Sequence, residues 1–93
     1  MSRLSGKTAT VTWNPGSIAD DEELELDVTV PGARLGDMSF VSIAFDTLDL
    51  IISSNVTADD TVTIVLANVG GTARDIGAAT VRVLVVPKDA FFN

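Results

Sequence analysis

The 93-residue sequence has no cysteine, no histidine, no tyrosine and a single tryptophan. Without cysteine, neither a disulfide nor a thiolate zinc site staples the fold, so the core or neighbouring subunits must supply the buried area. The missing histidine removes the commonest general base and metal-binding imidazole. Ser53 and Ser54 then have no His or Lys arranged to activate them, and no phosphate-binding loop is present. Basic residues are also scarce, 6 against 13 acidic ones, and the resulting charge of −7 repels phosphate backbones. Direct nucleic-acid binding is not expected on that ground. No apolar run approaches the roughly 18 residues of a membrane-spanning helix, and residues 1–7 lack the apolar stretch of an export signal. We expect a soluble single domain with no membrane partner, no cofactor and no enzymatic activity.

β-Branched residues are abundant: 10 Thr, 12 Val and 6 Ile. Such side chains favour pleated surfaces and lose rotamer freedom in helices, which points to an all-β chain. Thr8 to Trp13 alternates Ala9, Val11 and Trp13 with three threonines. Glu23 to Val30 alternates Leu24, Leu26, Val28 and Val30 with Glu23, Glu25, Asp27 and Thr29. Further strands are expected over Met38 to Phe45, Leu50 to Val56, Thr61 to Val69 and Thr80 to Val86. They are separated by turn signals at Asn14-Pro15-Gly16, Pro31-Gly32, Gly36-Asp37, Asp46 to Asp49, Asp59-Asp60 and Gly70-Gly71. Strands at about ten-residue spacing, with no helical segment long enough for a crossover, predict a compact antiparallel β-sandwich or small jelly roll of six to eight strands. Residues 1–7 form an N-terminal arm, 8–86 the single domain and 87–93 a C-terminal tail; the loops have room for one or two short extra strands.

The sharpest local feature is acidic: six carboxylates between Asp20 and Asp27. Calcium binds through several convergent oxygens, but alternate residues on one strand face stand about 6.6 Å apart, and the stretch lacks the EF-hand glycine and spacing. It reads first as a solvated strand face and loop, with a cation site or a surface for a basic partner as alternatives. Asp46 with Asp49, or Glu23 with Glu25, are formally spaced like glycosidase carboxylates, but a small sandwich with one Trp offers little to bind a sugar or shift a pKa. Trp13 continues the Ala9 and Val11 face and reads as a core anchor. The candidate contact residues lie at the ends of the chain and on the last strand. Arg3 and Lys7 sit on the Ser- and Gly-containing arm. Phe91 and Phe92 follow the last strand and must dock on their own sheet, a sister subunit or another protein to leave water. Leu84 and Val86 share a face with Arg82, which makes the outer side of that strand apolar for a solvent-facing sheet.

The segment Thr10-Val11-Thr12-Trp13-Asn14-Pro15-Gly16-Ser17-Ile18-Ala19, then Leu26-Asp27-Val28-Thr29-Val30-Pro31-Gly32-Ala33 and Leu35-Gly36-Asp37, resembles a widespread family of small bacteriophage β-proteins. The likeness continues through Val56-Thr57-Ala58-Asp59-Asp60-Thr61-Val62-Thr63-Ile64, Leu66-Ala67-Asn68 and Thr80-Val81-Arg82-Val83, covering residues 8–86. These are turn and strand signatures and identify no catalytic site. The resemblance implies a virion protein. Its expected form is a capsid cement or decoration protein, located on the outer head surface, bound to the major capsid protein and commonly trimeric. The chain has no long rod-forming extension, which favours the head over a fibre. The alternatives are a tail-associated structural protein and a carbohydrate- or calcium-binding module displayed on the virion. In the decoration reading Arg3, Lys7, Phe91 and Phe92 clamp neighbours while Leu84 and Val86 face the trimer axis.

Overall fold

A computed structural model describes residues 7–44 and 50–90. Eight strands follow in chain order: β1 Lys7–Trp13, β2 Ser17–Ile18, β3 Glu23–Thr29, β4 Met38–Ile43, β5 Leu50–Ala58, β6 Thr61–Asn68, β7 Arg74–Asp75 and β8 Ala79–Val86. All pairing is antiparallel. One three-stranded sheet has the order β1-β8-β4, a second the order β3-β6-β5, and β2 pairs with β7 in a two-stranded ribbon. The two larger sheets pack face to face as a β-sandwich, with β4 beside β5 and β1 beside β3.

The period of two decides which side chains enter the space between the sheets. Val62 and Ile64 of the central strand β6 point inward and are fully buried, in one cluster with Val81, Val83 and Val85 of the other central strand, β8. Each contributes about 1.5–3 kcal/mol relative to an exposed position. Trp13 lies against both this cluster and a second one built from Ile18, Leu50, Leu66 and Ile76, so it joins the sandwich to the β2–β7 end, as an anchor should.

The six longer strands fall where hydrophobic alternation places them, with ends shifted by one or two residues. The two short strands lie in stretches that read as loops: Ser17 pairs with Asp75 and Ile18 with Arg74. Lys7, expected as the last residue of the arm, is instead the first residue of β1 and pairs with Val85. Its side chain lies over Gly32, whose φ of +91° a β-carbon would strain and where a Cβ would run into the Lys7 chain.

Candidate functional site

The outer faces of the two sheets are chemically opposite. On β1-β8-β4 the side chains opposite the core form cross-strand rows, Thr8–Leu84–Phe40 and Thr10–Arg82–Ser42. Phe40 remains 55% exposed and Leu84 37% exposed, and together with Arg82 they line a shallow concavity of about 460 Å³. The three strands hold two basic residues, Lys7 and Arg82, and no acid. Among the described residues Arg82 has no acidic partner within ion-pair distance, so its guanidinium fork is open to carboxylates from outside. Apolar anchors around an open arginine are the composition of a contact surface.

Leu84 therefore stands where the sequence placed it, on an exposed apolar face. Val86 does not: it is only 5% exposed. It pairs with Met38 at the end of β8, and just beyond it the chain turns at Pro87, where Ala90 N–H bonds the Pro87 carbonyl and Lys88 N–H bonds Asp37. The residue that completes the face is Phe40, which lies within the strand expected over Met38 to Phe45. Parity held the signal: with Val41 and Ile43 pointing inward, Phe40 and Ser42 must point out. Arg3, Phe91 and Phe92, like Asp46 and Asp49, lie outside the described residues.

On β3-β6-β5 the corresponding outer rows are Glu23–Ala67–Ile51, Glu25–Val65–Ser53 and Asp27–Thr63–Asn55. These three strands carry three acids and no base, and Ile51 is 55% exposed. Several acids of the stretch are engaged by neighbours, Asp20 and Glu22 by backbone amides and Asp27 by a side chain. Asp20 accepts the Gly71 N–H at 3.1 Å, Glu22 accepts the Ala19 N–H at 2.9 Å, and Asp27 accepts the Thr63 hydroxyl at 2.7 Å. Among the described residues no three acidic side chains converge as a metal site would require. Glu23 and Glu25 stand on an open strand face, with no cleft to desolvate either.

At the end of the sandwich that holds Lys7, aspartates tie the loop after β3 to its neighbours. Asp60 takes the left-handed conformation in the β5–β6 turn (φ 63°), accepts Gly32 N–H at 2.7 Å and Arg34 at 3.1 Å, and donates its own N–H to Ala33 at 2.9 Å. Asp37 accepts the N–H groups of Arg34 and Lys88, both at 3.0 Å. Burial pushes the Asp37 carboxyl up, but those two hydrogen bonds and the charges of Lys88 and Lys7 outweigh it, so its pKa lies below the ordinary 3.8. Asp60 is also lowered, by the Gly32 N–H first and then by Arg34. Depressed carboxylates stabilise the fold above their unfolded pKa and lose that contribution as pH falls through the folded value. Denaturant midpoints should thus hold steady down to about pH 5 and drop below about pH 4, and Asp37→Asn should flatten that drop. An acid limb of unchanged steepness in Asp37→Asn would show that this carboxylate is not linked to folding.

Comparison of the chain with protein-family models, with curated proteins and with solved structures finds no match.

Proposed function

We propose that this chain is a structural protein of a bacteriophage virion: a capsid cement or decoration protein that binds the major capsid protein on the outer head surface, as a trimer, and stabilises the shell. One observation carries the reading of a contact protein, the acid-free outer face of β1-β8-β4 with Phe40 and Leu84 exposed around Arg82. The virion context rests on the resemblance of residues 8–86 to small phage β-proteins. A cement protein holds a repeated surface by many weak contacts, and linking copies multiplies each contact through effective concentration. In this reading the exposed face meets sister copies, and the residues before β1, with Arg3, and those at the C-terminus, with Phe91 and Phe92, reach the shell, while Lys7 is held in β1.

The test is binding of the purified protein to phage heads freed of accessory proteins, beside isolated tails. The expected result is saturable binding to heads, weakened by removal of residues 1–6 with the β-type circular dichroism unchanged. Binding to tails instead would favour a tail-associated role. Binding to a glycan or to calcium, with no binding to either particle, would favour the displayed module.

A further inference from the structure

The sandwich is polarised in charge. β1-β8-β4 presents Arg82 beside Phe40 and Leu84 without any acid, while β3-β6-β5 presents Glu23, Glu25 and Asp27 beside Ile51 and Val65 without any base. In a chain of net charge −7 a basic face is the exception, and a second copy of the same chain carries its complement. We infer that the copies associate head to tail, the Phe40–Leu84–Arg82 face of one docking on the Glu25–Val65–Ile51 face of the next. This deepens the self-association in the reading above by naming the surface of the sister copy that is met.

The lateral arrangement of the strands supports the pairing. Within one sandwich β4 lies beside β5, where Ser39 and Ser54 share a hydroxyl–hydroxyl hydrogen bond of 2.9 Å, and β1 lies beside β3. A second copy laid on the first with its strands in the same order sets the β5 edge, with Ile51, over the β4 edge, with Phe40, and the β6 row of Val65 and Ala67 over the β8 row of Leu84 and Arg82. It also sets the acidic edge of β3 over the threonine edge of β1, within reach of Arg82 on the central strand. A symmetric contact of the basic face with itself brings Arg82 against Arg82 and leaves the acids unmatched. The head-to-tail contact closes as a ring when each copy is turned relative to the last, and runs on as a row when copies are only translated. A face three strands wide and six residues long measures roughly 14 by 20 Å, well short of the roughly 800 Å² per partner of a stable interface. The contact is therefore weak, salt-sensitive and suited to copies already held side by side.

The experiment is a dilution series of the isotope-labelled protein from millimolar to micromolar concentration at low salt, read by amide chemical shifts. The expected result is concentration-dependent shifts on both outer faces at once. They are weakened at least about tenfold in Arg82→Glu and in Glu25→Lys, each folded, and recovered in the Arg82→Glu/Glu25→Lys double variant, in which the two charges exchange places. Shifts confined to one face, an Arg82→Glu variant that associates like the wild type, or spectra independent of concentration would each overturn the inference. None of these outcomes depends on binding to phage heads, so the two proposals fail separately.

Discussion

Replacing Asn68 with leucine is expected to destabilise the protein by about 3 kcal/mol or more, although leucine has the same branched shape and is the more hydrophobic residue. Asn68 is 1% exposed and ends β6, where an apolar side chain would be unremarkable. Its Nδ2 donates to the Ile18 and Thr72 carbonyls, both at 2.8 Å, and its Oδ1 accepts the Gly70 N–H at 3.0 Å. Its backbone closes the same corner, donating to Glu22 and accepting from Asp21 at 3.0 Å. The side chain thus fastens β2 and the β6–β7 loop to the sandwich. Leucine leaves two carbonyls and one amide without this partner; the carbonyl of fully buried Ile18 bears a cost of about 1–3 kcal/mol, and the groups of exposed Thr72 and Gly70 a smaller one. For a domain of this size a 3 kcal/mol loss lowers Tm by about 12–24 °C. Asn68→Asp should also be damaging, because it keeps an acceptor, loses both donors and buries a charge. Urea unfolding measures both variants; a leucine variant within about 0.5 kcal/mol of the wild type would mean that water replaces all three bonds.

Ile18→Ala should cost about 2–5 kcal/mol even though Ile18 belongs to a strand of only two residues. Its side chain is fully buried among Leu50, Leu66 and Ile76, so truncation loses the transfer free energy of three carbons and leaves a cavity against central strand β6. Ile76→Ala should fall in the same range, and because the two belong to one cluster their effects should not add independently. Thermal melting of the single and double variants reads this. A loss under about 1 kcal/mol for Ile18→Ala would show that the β2–β7 end collapses onto the space at little cost.

These two residues also mark where sequence reading stops. Strands such as β3 and β6 declare themselves locally, because seven or eight residues of strict alternation leave only one way to bury an apolar row. Ser17–Ile18 and Arg74–Asp75 are too short to show any period, and their pairing spans more than fifty residues of chain. The hint is only that Ile18 and Ile76 are isolated apolar residues in otherwise polar loops. Asn68 reads as the polar end of a strand until its bond to the distant Ile18 carbonyl, beside those to Gly70 and Thr72 nearby, is known. Leu84 is legible as an exposed apolar residue from its parity with Arg82, whereas the burial of Val86 depends on the turn that follows. The charge of each strand is plain in the sequence. That the two acid-free edge strands flank β8 while the acidic β3 lies in the other sheet is a matter of topology, and it is topology that turns scattered charges into two opposed faces.

The central claim is that the Phe40–Leu84–Arg82 face brings copies of this chain together. Its most direct test is the absolute mass in solution by light scattering over a wide concentration range, for the wild type beside a Phe40→Ser/Leu84→Ser variant. The account predicts that the wild-type mass rises above 9.7 kDa with concentration, toward three times that value if copies close as a trimer, and that the variant stays at 9.7 kDa. A wild type that remains at 9.7 kDa even when concentrated, or a variant that associates equally well, would contradict it.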